Sequence, residues 1–323
     1  MNKQIIFLCL FILSQLTAFS QSLEDIILES ISEVEKGNFT TALEKYNLGI
    51  SKYPNEPVLY VLKGELFTKY NRKLTMDPEV YNNALEQYNL ALEIDSTYAP
   101  AYNSRGLLNV FHQKFDLAIS DFTNVLKYAE DDAEIQFNVF MARGGAKSYS
   151  KDYKGAIADY NEAIKIRPNS AGIYINLGAI HANLKDYKKA EKNYQKALEI
   201  EPENGYALNN FGMFYIRQKN YNKAVEILQQ AIKITSDDPL LHNNLGFAKL
   251  KLGEPDDALI LINKSISIYP QNSYAFKNRA LVYIAKNEIE KACADLTKAN
   301  ELGYSITYNN EVNELLDKNN CKD

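Results

Sequence analysis

Three short stretches of the sequence repeat one another: residues 151–156 read KDYKGA, residues 185–190 read KDYKKA and residues 219–224 read KNYNKA. Their final alanines are spaced 34 residues apart. The same spacing continues in both directions along the chain, with two longer intervals. It gives the series Ala42, Ala84, Ala118, Ala156, Ala190, Ala224, Ala258 and Ala292. The chain is therefore predicted to consist of eight copies of one structural unit.

Each copy has the pattern of two antiparallel helices that approach closely. In most copies a glycine stands twelve residues before the alanine, and a large side chain follows the alanine by four residues. A missing side chain on one helix allows the other helix to come near, and the large residue fills the space beside the crossing. These glycines are Gly106, Gly144, Gly178, Gly212 and Gly246, and the equivalent Gly64 stands twenty residues before Ala84 because eight residues are inserted between them. All nine prolines fall at predicted helix ends, as expected of a residue that disrupts helix interiors.

This pattern resembles the tetratricopeptide repeat, which has Leu-Gly and Tyr on its first helix and Ala, an aromatic residue and a closing Pro on its second. The resemblance implies an all-α fold, a right-handed α-solenoid of about eight helix-turn-helix repeats. The array is predicted over residues 21–303, followed by a C-terminal capping helix within 304–323. The predicted repeats are 23–56, 57–98, 99–136, 137–170, 171–204, 205–238, 239–272 and 273–303.

Two repeats are longer than the period. The additional residues lie near 69–83, where Asp77-Pro78-Glu79 has the form of a helix start, and near 127–136. Both excesses interrupt the regular stacking surface. We expect either a bend or an added contact at these places, or a neutral extension of a loop.

Residues 1–20, MNKQIIFLCLFILSQLTAFS, have the form of a signal peptide cleaved before Gln21. A transmembrane anchor is the competing interpretation, but the uninterrupted apolar run is about half of the roughly 20 residues that span a bilayer. Lipid attachment at Cys9 is a third interpretation, and it is disfavoured because Leu8 stands where a lipobox has a small residue. We therefore expect export to the periplasm or the extracellular side of a bacterial cell envelope.

Export would permit disulfides. The predicted mature chain keeps two cysteines, Cys293 and Cys321. A bond between them would tie the capping helix to the helix before it and contribute about 3 kcal/mol in the chain-entropy model. The alternative is two unrelated thiols.

Charge and motif content argue against several classes of function. The net charge is −5, with 36 basic and 41 acidic residues, so no basic surface for nucleic acid or an anionic membrane is indicated. The three histidines lie in different repeats, and no HExxH, CxxC or glycine-rich phosphate loop occurs. The sequence predicts no enzyme, no metal site and no cofactor.

In the repeat family, the first helices line the concave side of the array. Asparagines stand two residues before the packing glycine or its equivalent, at Asn176, Asn210, Asn244 and Asn278. Such a column of amides offers donors and acceptors to the backbone of an extended peptide, although asparagine is also common at this repeat position. The further groove candidates are Asn209, Asn243, Lys277, Arg217, Lys251, Tyr206, Leu240 and Tyr274.

These observations predict a non-enzymatic scaffold that binds a peptide or protein segment in the concave groove. The alternative is a structural or self-assembling envelope component whose repeats form contacts between identical copies. No integral membrane segment is expected after signal cleavage.

Overall fold

The computed structural model describes residues 21–70, 77–129, 132–308 and 310–321. In these ranges the chain forms 18 helices and no strand. The predicted signal peptide, with Cys9, and residues 71–76 of the excess near 69–83 lie outside the described residues. The prediction of an all-α fold is confirmed. None of the helices in the described ranges is both long and apolar enough to cross a membrane.

The chain divides into two compact units, Met1–Pro168 and Asn169–Asp323, here called unit 1 and unit 2. The helices of unit 1 are α1 (Gln21–Lys36), α2 (Phe39–Lys52), α3 (Pro57–Tyr70), α4 (Pro78–Ile94), α5 (Ala99–Phe111), α6 (Phe115–Tyr128), α7 (Ala133–Tyr149) and α8 (Tyr153–Ile166). The helices of unit 2 are α9 (Ala171–Asn183), α10 (Tyr187–Ile200), α11 (Gly205–Arg217), α12 (Tyr221–Ile234), α13 (Pro239–Lys251), α14 (Pro255–Ile268), α15 (Ser273–Ala285), α16 (Ile289–Glu301), α17 (Tyr304–Thr307) and α18 (Glu311–Lys318).

Within each unit the odd-numbered helices α1–α15 are first helices, and each packs on the second helix that follows it. The glycines mark the closest approach. A Cβ atom on Gly64 would stand 2.5 Å from Tyr88 Cε1, and one on Gly178 would stand 2.9 Å from Tyr194 Cε1. The tyrosines opposite these glycines are buried. The glycine and the large residue are therefore two halves of one packing contact, as the sequence predicted.

The KDY motif forms the turn between the two helices of a repeat. Its lysine has a left-handed backbone, with φ of 66° at Lys151 and 60° at Lys185. Its aspartate then caps the second helix: the backbone N–H of Gly155 donates to Asp152 Oδ1 at 2.9 Å, which satisfies one of the free donors at the helix start. The three letters that repeat in the sequence thus specify where one helix ends and the next begins.

In the described part of the excess near 127–136, the additional residues lengthen a helix. Helix α7 begins at Ala133, four residues before the predicted start of repeat four, so the additional residues form one more helical turn. Asp132 caps this turn, because its Oδ1 accepts hydrogen bonds from the backbone N–H groups of Glu134 and Ile135 at 2.8 and 3.0 Å.

The C-terminal cap also differs from the prediction of a single helix. It consists of two short helices, α17 and α18, and begins after Gly303, which has a left-handed φ of 81°. Val312 of α18 is fully buried in a cluster with Leu296 of α16 and Tyr304 of α17. The cap therefore covers apolar surface of the last repeat, which is the role expected of it.

Candidate peptide-binding surface

The predicted amide column lies on the first helices of unit 2, and two of its four members, Asn244 and Asn278, hydrogen-bond to an asparagine of the preceding first helix. Asn244 Nδ2 of α13 donates to Asn209 Oδ1 of α11 at 2.9 Å. Asn278 Nδ2 of α15 donates to Asn243 Oδ1 of α13 at 3.0 Å. Because Asn243 and Asn278 are fully buried, they cannot reach a ligand, and their assignment as groove contacts is corrected. These amides face the neighbouring first helix, where a buried polar group needs a partner.

Lys277 is a second candidate that lies in the interior, with 3% of its surface exposed. Its Nζ is 3.4 Å from Glu311 Oε2 of the cap. The ammonium also lies over the rings of Tyr274, Phe247 and Tyr304, at 4.6, 5.7 and 5.7 Å from their centroids. Burial lowers the pKa of Lys277. This side chain fastens the cap to the last repeat and is not available as a groove contact.

Other candidates remain on the surface. Tyr206 and Leu240 occupy the same position near the start of α11 and α13, and 65% and 50% of their surfaces are exposed. Arg217 and Lys251 are the last residues of the same two helices and are also exposed. Lys251 Nζ lies 5.1 Å from the ring centroid of Phe247. We call the outward surface of α9, α11, α13 and α15 the first-helix face of unit 2.

The three remaining candidates are half-buried on this face. Asn210 Nδ2 donates to the backbone oxygen of Tyr206 within its own helix at 2.8 Å. Asn176 lies on α9, and Tyr274 stacks on Tyr304 with ring centroids 5.9 Å apart. The accessible part of the face is therefore an apolar row, Tyr206 and Leu240, and a cationic row, Arg217 and Lys251. Eleven residues separate the rows on each helix, which is about 16 Å at 1.5 Å per residue.

The first helices of unit 1 present a different surface. Leu107, Phe111 and Tyr149 are large exposed hydrophobic residues at the ends of α5 and α7. The carboxyl group of Glu65 on α3 accepts a hydrogen bond from Ser104 Oγ of α5 at 2.7 Å. Burial raises the pKa of Glu65 to about 7. Adjacent first helices are thus joined by a carboxyl–hydroxyl pair in this part of unit 1 and by amide pairs in unit 2.

Three repeats contain an arginine–aspartate contact that sequence analysis missed. The arginine of the first helix pairs with an aspartate of the second helix at 2.7 Å and also reaches a polar residue of the preceding repeat. The pairs are Arg105–Asp121, Arg143–Asp159 and Arg279–Asp295, and the additional partners are Asn89, Thr123 and Asn263. The 16-residue spacing of each pair is a signal that could have found them. Because these groups hold adjacent repeats together, we assign them to stability.

The structure joins Cys293 of α16 to Cys321 at the end of the cap by a disulfide, with a Cα–Cα distance of 5.4 Å. No group of three or more His, Cys, Asp or Glu side chains within the described ranges is arranged to hold a metal ion. His242 Nε2 of α13 is 2.7 Å from the backbone oxygen of Ser236, in the turn that precedes this helix.

Family models agree with this geometry. A model described as tetratricopeptide repeat matches residues 169–237 and 203–271, and one described as TPR repeat matches residues 149–185. The chain is a tetratricopeptide repeat protein. The predicted α-solenoid class is confirmed with it. Proteins of this repeat family bind proteins or peptides.

Solved tetratricopeptide structures share the fold at low identity. A tetratricopeptide repeat protein from Parabacteroides merdae ATCC 43184 is 20% identical, covers 93% of this chain and 99% of its own, and has a TM-score of 0.57. Yeast Tom70 is 15% identical over 94% of this chain and 66% of its own, with a TM-score of 0.66. The Cut9–Hcn1 hetero-tetramer of the APC/C is 16% identical over 95% of this chain and 57% of its own, with a TM-score of 0.60. No curated protein sequence matches the chain.

Proposed function

We propose that this tetratricopeptide repeat protein is a non-enzymatic scaffold that binds a segment of a partner protein on the first-helix face of unit 2. The exposure of Tyr206 and Leu240 at one position of consecutive repeats carries the proposal. Large apolar side chains exposed in a group mark interaction sites on soluble proteins. Tyrosine is also common among the residues that dominate binding energy, because its ring buries a large area while its hydroxyl remains solvated.

We also propose that the protein is exported, with residues 1–20 as the cleaved signal, to the periplasm or the outside of a bacterial cell. The disulfide between Cys293 and Cys321 supports this location, because disulfides persist in oxidising compartments. The net charge of −5 supports a protein partner over nucleic acid.

Site-specific crosslinking tests the binding surface. A photoreactive amino acid at position 206, in place of Tyr206, should capture a partner in cells of the native host, and the same group in place of Ile260 should not. Ile260 is the matched control because it lies on the second helix α14 and 69% of its surface is exposed.

Binding of the captured partner, once purified, is then measured by calorimetry. Tyr206→Ala/Leu240→Ala should weaken the affinity at least tenfold, which corresponds to about 1.4 kcal/mol, and leave the helical circular dichroism unchanged. Ile260→Ala should bind like the wild type. Equal affinity of the double variant and the wild type would refute the assignment of this face.

Self-association is a second candidate function, and one observation favours it. Ile306 of the cap is 94% exposed, and Tyr308, two residues further along the chain, is another large exposed hydrophobic residue. Light scattering of the purified protein over a range of concentrations should show an oligomer that Ile306→Ser dissociates. A monomer at all concentrations would exclude this role.

A further inference from the structure

Acidic residues are absent from the first helices of unit 2. Helices α9, α11, α13 and α15 have 13 residues each and contain no aspartate or glutamate. Elsewhere acidic residues are frequent, since 41 of the 323 residues are Asp or Glu. The same helices carry five cations: Arg217, Lys249, Lys251, Lys277 and Arg279. The net charge of these four helices is therefore opposite to the net charge of the chain.

Three of these cations have acidic partners within unit 2. Lys249 pairs with Glu254, Arg279 with Asp295 and Lys277 with Glu311. The two that remain, Arg217 and Lys251, form no ion pair with any residue that the structure describes. They are exposed, and each ends its helix.

A cation at the end of a helix also interacts favourably with the helix dipole, by about 0.3–1 kcal/mol. This effect explains one positive charge in the last turn of a helix. It does not explain why acidic residues are missing from the whole length of four helices, including their first turns, where the dipole favours them. The segregation of charge on this face needs a second reason.

We infer that the first-helix face of unit 2 binds an acidic amphipathic helix of a partner protein. Apolar side chains of that helix contact Tyr206 and Leu240, and its carboxylates pair with Arg217 and Lys251. This inference rests on the proposed function and specifies its partner. The net charge of the scaffold repels an acidic partner, so the attraction must come from these local cations.

The dimensions of the face fit such a helix. The apolar and cationic rows are about 16 Å apart along the helix axes, and an α-helix with its side chains is about 10–12 Å across. One helix lying over α11 and α13 therefore leaves about 4–6 Å, which the long side chains of Tyr206, Arg217 and Lys251 span. Packed helices have axes about 8–10 Å apart, and residues seven positions apart on a helix are separated by about 10.5 Å. Acidic residues at i and i+7 of the partner therefore match Arg217 and Lys251.

The test uses a fluorescent synthetic peptide of about 18 residues, which is about 27 Å long as a helix. It has glutamates at i and i+7 on one side and leucine and phenylalanine on the other. Two companion peptides replace the glutamates by glutamine or by lysine. Fluorescence anisotropy with the full chain should show the glutamate peptide binding at least tenfold more tightly than the glutamine peptide, with added salt reducing the difference.

Two protein variants with equal changes of charge complete the test. Arg217→Gln/Lys251→Gln should bind the glutamate peptide at least tenfold more weakly and no better than the glutamine peptide. Lys188→Gln/Lys233→Gln removes two exposed lysines from the second helices α10 and α12 and should bind like the wild type. Thermal unfolding of both variants separates a loss of binding from a loss of the helix-dipole contribution.

The outcomes distinguish this inference from the proposed function. Equal binding of the glutamate and glutamine peptides, equal binding by the two charge variants, or no binding of the glutamate peptide would each overturn the acidic partner. The proposed function fails separately, if Tyr206→Ala/Leu240→Ala leaves binding of the captured partner unchanged.

Discussion

Gly64→Ala should destabilise unit 1, although alanine is the better helix former. The added Cβ would stand 2.5 Å from Tyr88 Cε1 and 2.9 Å from Tyr88 Cδ1. Tyr88 is almost completely buried, so its ring cannot move away without disturbing its neighbours. Overpacking of this kind costs about 1–3 kcal/mol, and the gain in helix propensity returns about 0.5–1 kcal/mol. We expect a net loss of about 1–2 kcal/mol in the free energy of unfolding.

Gly145→Ala is the matched control in the same unit. Gly145 lies inside α7, and the nearest atom to its added Cβ is Tyr160 Oη at 3.8 Å, an ordinary contact distance. This variant keeps the gain in propensity without the collision, so its free energy of unfolding should rise by about 0.5–1 kcal/mol. Urea unfolding followed by circular dichroism measures both variants. If Gly64→Ala raises the unfolding midpoint as Gly145→Ala does, α3 and α4 are too far apart for the added Cβ atom to collide with Tyr88.

A second substitution should reduce the damage. Repeat eight already has alanine at the glycine position, Ala280, and its partner four residues after Ala292 is Leu296, the smaller side chain. Gly64→Ala/Tyr88→Leu reproduces that pair in repeat two. Its loss of stability should be smaller than the sum of the two single losses, because the two side chains share one space. Strict additivity would contradict the steric explanation.

Three further predictions concern other contacts. Reduction of the disulfide, or Cys293→Ser/Cys321→Ser, should lower the free energy of unfolding by about 3 kcal/mol, and reductant should not affect the double variant in thermal unfolding. Arg279→Leu should cost about 3 kcal/mol because it leaves the buried carboxylate of Asp295 unpaired, whereas Arg279→Leu/Asp295→Leu should be close to neutral in urea unfolding. Burial raises the pKa of Glu65 from 4.5 to about 7, so the unfolded chain releases this proton first. The free energy of unfolding should therefore fall as the pH rises from 4.5 to about 7. Urea unfolding midpoints measured over this pH range should show the fall in the wild type and not in Glu65→Gln.

The sequence was sufficient to predict the fold because two independent features of each repeat indicate it. The 34-residue period places the residues that pack between the helices, and the residues of the turn mark where one helix ends and the next begins. Gly178 and Tyr194, sixteen residues apart, are enough to predict a tight crossing. The additional turn of α7 was also readable, since Asp132 has the residue type of a cap. The 34-residue period alone does not predict this turn, because a fixed spacing assigns every additional residue to a loop.

The binding surface was less predictable, because the position of a residue on a helix face does not say which neighbouring side chains satisfy it. Asn210 and Asn278 occupy the same place in their repeats, yet Asn210 bonds within its own helix and Asn278 bonds to Asn243 of the preceding repeat. Both bonds between repeats join residues 35 apart, and the residue 35 before Asn210 is Ile175, whose side chain has no acceptor. The partner of the amide therefore lies in the preceding repeat, and the sequence of one repeat does not contain it.

Hydrogen bonding between the amides and charge at the helix ends have separate roles on this face. The bonds from Asn244 to Asn209 and from Asn278 to Asn243 fix adjacent first helices with neutral groups, which avoids the desolvation cost of burying ions. Since contacts between these helices do not depend on Arg217, its charge at the end of α11 is available to bind a partner. Repeats three and four use arginine–aspartate pairs for cohesion, and their exposed helix ends carry Phe111 and Tyr149 where unit 2 has cations. The two units can therefore recognise different chemistry while sharing one packing scheme.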